Sequence, residues 1–119
     1  MGLGAYGAHG LETRLDARSD LTTERIALLL QWFDTAVRYQ MFHTGGLLVV
    51  GLLARQAPRS ASAAGILFVL GLLLFSGSFY GMVLADLKLA MVLPIGGLTL
   101  MVGWVALAVA GWRAGAAAS

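Results

Sequence analysis

The sequence predicts an all-α fold, a polytopic transmembrane helix bundle, and three observations carry that prediction. Of 119 residues, 59% are hydrophobic and only 12% are charged, against about 25% charged in an ordinary globular domain. The apolar residues are bunched: Ser60 to Ala85 contains no charge, and neither does Leu89 to Trp112. Each run is long enough to cross a membrane, because about 20 residues at 1.5 Å rise span the ~30 Å hydrocarbon core. A third uncharged run, Met41 to Ala54, has fourteen residues and is short alone. Extended back through Ala36, Val37 and Tyr39 it becomes long enough, at the cost of including Arg38. The chain is therefore expected to be one transmembrane domain, residues 1–119, with three full spans at about 36–54, 60–85 and 90–112.

The first residues, MGLGAYGA, are apolar and glycine-rich, like the last two turns of a membrane helix. They are expected to be the stub of a first span whose beginning lies upstream of Met1. Alternating charges follow from Glu12 to Arg18. Asp20 is a candidate N-cap, since its carboxylate can accept a free first-turn N–H of a helix beginning near Leu21. The part of that helix from about 21 to 35 should lie at the interface, with Trp32 and Tyr39 at headgroup level.

A short positive loop, ARQAPRSAS, leads into the second span, and Asp86-Leu87-Lys88 makes the next turn. Pro94 is tolerated in the first turn of a helix but not in its interior, so the third helix proper should start at Leu93 or Pro94. Trp112 and Arg113 would anchor its far end. Arg55 and Arg59 in the first loop, and Arg113 near the C-terminus, place both on the cytoplasmic side by the positive-inside rule. Seven arginines against one lysine, with abundant Ala and Gly, fit a GC-rich bacterial coding sequence. The expected location is accordingly the bacterial inner membrane, multi-pass.

Composition also excludes functions. A net charge of +2 without a basic cluster interleaved with aromatics argues against nucleic acid. Zero cysteines exclude disulfides, thiolate catalysis and Cys-ligated metal. Nucleophile elbow, phosphate loop, paired acid/base carboxylates and zinc-protease helix are all missing from the sequence, so an enzyme is not expected. Two histidines, His9 and His43, without carboxylates or cysteines at ligand spacing make a weak metal signal; a metal or haem ligand is a minor reading of His43, and no cofactor is expected.

Four blocks carry a family resemblance: GAYGAHGL (Gly4 to Leu11), TAVRYQMFH (Thr35 to His43), LFSGSFY (Leu74 to Tyr80), and LPIGG with GW (Leu93 to Gly97, then Gly103-Trp104). In the same order and across nearly the whole chain, they resemble an uncharacterised bacterial membrane family, domain of unknown function 423, whose eukaryotic members are called transmembrane protein 256. The resemblance implies a four-helix polytopic protein with both ends in the cytoplasm and no established activity. Leu93 departs from it, standing where the family usually has threonine before the proline. That removes a hydroxyl cap worth about 1 kcal/mol where one forms.

The polar residues near the spans are the candidate sites. On a helix, Asp34 and Arg38 form an i,i+4 ion pair, whereas Tyr39 and His43 fall about 100° and 140° further round than Arg38. Arg38 either anchors the interface with Asp34 and lipid phosphate, or serves as counter-charge for an anionic lipid or substrate held between helices. Gln40 adds a second polar group to the same block. His43 lies about 7 Å deeper than Arg38 and is a default functional candidate, because ionisable residues inside membranes face the bundle interior. Its bland role is a hydrogen bond to Ser76 or Ser78 on the next helix; its active one is proton relay. His9 is placed on the same outer side. Gly77-x-x-x-Gly81 has the small-residue spacing that lets helices approach closely, and Gly96, Gly97 and Gly103 invite the same packing role.

The leading expectation for function is a scaffold, accessory subunit or assembly factor acting by helix–helix association, with membrane lipids and either a homo-oligomer or a membrane-protein partner. The alternative is an oligomeric small-solute or proton-linked transporter with a polar path near Arg38, His43, Ser76 and Ser78.

Overall fold

The computed structural model describes residues 1–119, the side chain of Ala8 excepted. Five helices follow in order: α1 (Gly2–His9), α2 (Leu11–Asp16), α3 (Thr23–Leu53), α4 (Pro58–Ala85) and α5 (Leu93–Ala118). The described residues are helix and connecting turns, without strand.

Helix α3 is capped by Thr22, not Asp20. The Thr22 backbone is extended and its hydroxyl accepts the Arg25 N–H at 3.2 Å. Asp20 is unavailable for that role because Arg18 holds it: the guanidinium donates to both carboxylate oxygens, at 2.8 and 3.2 Å. From Thr23 the helix runs unbroken for 31 residues, about 46 Å.

Helix α4 starts two residues before the expected Ser60, with Pro58 in its first turn, where a missing N–H costs nothing. It ends at Ala85 as expected. Asp86 takes the left-handed conformation (φ 53°), a state that Asp tolerates better than most residues, and the N–H groups of Asp86 and Leu87 both turn back to the Gly81 carbonyl. Helix α5 starts at Leu93, as the placement of Pro94 requires and later than 90, since residues 86–92 form the connection; it passes Trp112 and continues to Ala118. Its N-cap is Val92, whose side chain has no acceptor to offer, and Leu93 is already the first residue of the helix, so the expected loss of a hydroxyl cap at Leu93 does not apply.

Helix α4 is the centre of the molecule. It packs along α5 on one side and α3 on the other, while α3 and α5 barely meet. The Cα extents are 62 × 27 × 17 Å, so the three long helices lie in one shallow layer. The buried side chains form three patches along it. At one end Leu11 and Leu15 of α2 pack with Leu29 and Phe33 of α3 and Val83 of α4. In the middle lie Ala64, Phe68, Leu100 and Leu107, and at the far end Ala57, Ala61, Ala110 and Ala114.

The closest approaches are made by glycine, but at only two of the expected positions. A Cβ at Gly96 would lie 2.6 Å from the Phe75 amide nitrogen, and one at Gly103 would lie 2.8 Å from the Phe68 ring. Gly46 meets the other side of that ring at 2.9 Å, so two glycines clasp Phe68 between α3 and α5. Gly77 faces no neighbouring helix, Gly81 meets only the Leu87 and Leu89 side chains of the following turn, and Gly97 has ordinary clearance from Phe75 at 3.9 Å. The Gly77-x-x-x-Gly81 spacing is real, yet its first glycine is turned away from the packed faces.

By length and composition α4 and α5 are sufficient to cross a membrane. The expected count of three falls to two on this criterion, because Arg38, Gln40, His43 and Thr44 dilute the apolar content of α3. Large apolar side chains nevertheless stand outward on all three, among them Leu52 (74% exposed), Leu73 and Val105.

Candidate functional site

The shallow layer leaves a cleft of about 550 Å³ where α3 and α5 diverge above α4. Helix α3 supplies Arg38, Tyr39, Phe42 and His43; α4 supplies Phe75; α5 supplies Gly97, Leu100, Met101 and Trp104. The helix separates Arg38 from His43 by the expected angle, yet both line this one cleft. A gap this wide takes in the whole arc of about 140° between them.

His43 is 96% shielded from solvent (4% exposed) at the inner end of the cleft. Its partner is not Ser76 or Ser78. Trp104 Nε1 donates to His43 Nε2 at 3.0 Å, and His43 Nδ1 lies 2.7 Å from the Tyr39 carbonyl, one turn back. An indole N–H can only donate, so Nε2 must accept, and the proton belongs on Nδ1, directed at Tyr39. The histidine is therefore the neutral Nδ1–H tautomer, with both nitrogens engaged. Charging the ring would set an N–H against the Trp104 N–H. Tyr39, Phe42, Phe68 and Trp104 surround the imidazole with ring centroids 5.4–5.9 Å away.

The two serines are occupied elsewhere. Ser76 donates across the helix interface to the Ala36 carbonyl at 3.0 Å, and Ser78 donates back to Leu74 in its own helix. Gln40 points away from the cleft, and its Oε1 accepts from the Tyr80 hydroxyl at 2.7 Å. His9 is exposed at the end of α1 and does not line the cleft. Asp34 and Arg38 pair as expected, with Nε 2.7 Å from Oδ2, and Arg38 stays 78% exposed. Among the described residues no group of three His, Asp or Glu side chains gathers as a metal site.

Sequence reasoning missed Trp104, Phe75 and Tyr80. A signal for Trp104 was present: an indole in mid-span must find an acceptor, and His43 is the one histidine deep enough to offer it. A further element, outside the cleft, was also missed. Arg18 reaches Asp86 at 3.1 Å while holding Asp20, joining the α2–α3 link to the α4–α5 turn. Hydrogen bonding from Arg18 holds the Asp20 carboxyl below its usual range.

Residues 3–97 match the family described as Protein of unknown function (DUF423). This chain belongs to the DUF423 family. Similar relatives include the UPF0382 membrane protein of Haemophilus influenzae, 38% identical over 107 residues (89% of this chain, 78% of the relative). The UPF0382 membrane protein of Staphylococcus epidermidis is 36% identical over 111 residues (92% and 83%). The UPF0382 inner membrane protein YgdD of Escherichia coli is 34% identical over 115 residues (93% and 79%). No solved structure matches the chain significantly. The DUF423 match includes the cleft residues of α3 and α4 and, on α5, Gly97; Leu100, Met101 and Trp104 lie beyond it.

Proposed function

We propose that this DUF423 protein is a non-enzymatic, multi-pass protein of the bacterial inner membrane that acts by helix–helix association, as a scaffold, accessory subunit or assembly factor. One observation carries the reading: three long helices form a single layer of 17 Å in its thinnest dimension, with large apolar side chains outward on both α3 and α5. A layer presents surfaces to neighbours and encloses nothing. In this reading α3 also crosses the membrane, as the first of three spans, with its polar residues inward or at the interface, and the arginine end (Arg55, Arg59 and Arg113) is cytoplasmic.

The transport alternative loses support from the same geometry. Of the four groups that would have lined its path, His43, Ser76 and Ser78 are each committed to an internal hydrogen bond, and Arg38 is left alone at the mouth. A photo-crosslinking residue at Leu48 or Leu52, in native membranes, is expected to give discrete protein adducts. Adducts to lipid alone, together with solute flux in liposomes containing the pure protein, would overturn the proposal.

A further inference from the structure

We propose that the α3–α5 cleft is a binding site for one anionic phospholipid, with its phosphate at Arg38 and one acyl chain along the aromatic floor. The cleft is amphipathic in the direction a lipid is. Arg38 lies 15 residues before Leu53, the end of α3, about 22 Å along the helix, and therefore near the interface opposite Arg55. Gly97, which shares the lining with Arg38, is only about one turn from the start of α5. His43 and Trp104 lie deeper, Trp104 about 10 Å below Gly97. The charge thus stands at the mouth and the apolar surface of Phe42, Phe75, Leu100 and Met101 runs inward from it.

Arg38 is prepared for a phosphate. Its ion pair with Asp34 engages Nε, and among the described residues no hydrogen bond is made by its two terminal nitrogens. Those are the donors that a guanidinium presents to phosphate as a fork. Asp34 balances the arginine while the site is empty and sets the direction of the side chain. The deeper groups reject a charged or strongly polar occupant, since His43 and Trp104 satisfy one another. A volume of about 550 Å³ lies within the 300–1,000 Å³ or so of ordinary ligand sites. Gly97 keeps the upper cleft open, because a Cβ there meets nothing closer than 3.9 Å and a longer side chain would project into the free volume.

Trp104 reports on the site. In a Trp32→Phe/Trp112→Phe background it is the sole tryptophan, and bromine on an acyl chain quenches it on contact. The full chain in bilayers should be quenched by brominated phosphatidylglycerol in preference to brominated phosphatidylcholine by about fivefold, the effect of one membrane-proximal arginine. Arg38→Gln should abolish the preference, Arg38→Lys should retain part of it, and Gly97→Leu should abolish it with the charge intact. Arg113→Gln, at the other end of the helices, should leave it unchanged, as should added inorganic phosphate. Equal quenching by the two lipids in the unmodified cleft would overturn the proposal. So would a preference that survives Arg38→Gln or Gly97→Leu in protein of unchanged helicity, one that falls equally with Arg113→Gln, or one that free phosphate removes.

Discussion

Replacing Gly96 with alanine puts the α4–α5 crossing to a quantitative test. The added Cβ would lie 2.6 Å from the Phe75 amide nitrogen and 2.9 Å from both the Leu74 carbonyl carbon and Phe75 Cα. All three are backbone atoms, so no side chain can rotate away. Recovering an ordinary 3.4 Å contact requires a local separation of about 0.8 Å, and gaps of about 0.5–1 Å forfeit a quarter to a half of each dispersion well. The separation is felt along the crossing, where Phe68, Leu100 and Leu107 pack. Overpacking of this kind costs about 1–3 kcal/mol, offset by about 1 kcal/mol because alanine is the better helix former. Gly111→Ala is the control: its Cβ meets nothing within 4 Å and only the propensity gain applies. The two variants should therefore differ by the overpacking cost, about 1–3 kcal/mol, in equilibrium unfolding by SDS from mild-detergent micelles followed by far-UV circular dichroism. A Gly96→Ala protein as stable as Gly111→Ala would refute the close crossing.

Ser76→Ala should cost about 0.5–1.5 kcal/mol in the same assay, because it removes a buried bond between helices. Ser78→Ala should be nearly neutral, since its bond stays within α4. The Asp20 carboxyl is held below its usual range by Arg18, so its contribution is complete above the ordinary carboxylate range near 3.9 and is lost as pH falls through the lowered value. Hydrogen-exchange protection at the Leu21 amide should accordingly fall at low pH, and Asp20→Asn should remove that dependence. The chain has no cysteine, which permits labelling of single introduced thiols: an impermeant maleimide applied to intact spheroplasts should modify Lys88→Cys and spare Gln56→Cys. Labelling in the reverse pattern would invert the proposed topology.

Legibility in the sequence followed the range of the interaction. The Asp34–Arg38 pair was readable because both partners lie one turn apart on one helix. The bounds of α4 were nearly so, since Pro58 and Asp86 mark a helix start and stop by local chemistry. Asp20 was expected to cap α3 and Thr22 does so: the Arg18–Asp20 contact that occupies the carboxylate is local, but the Asp86 that Arg18 also binds is 68 residues on and could not be foreseen. His43 shows the same limit, for its partner Trp104 is 61 residues distant, and neither spacing nor composition says which helix closes on which. Glycine spacing identifies helices able to approach but not the face that does. Gly46 and Gly71, with no motif around them, lie at close contacts, while Gly77 sits within a motif and has none. The cleft itself depends on α3 and α5 splaying apart over α4, a property of three helices together.

The central claim is that this protein works by association, and its most direct test is the state in which it leaves the membrane. Native mass spectrometry of the full chain, extracted from its own membrane in mild detergent, should show an assembly of defined stoichiometry, either with another membrane protein or with further copies of itself. A single chain carrying only lipid, across all mild detergents that preserve its helicity, would contradict the account.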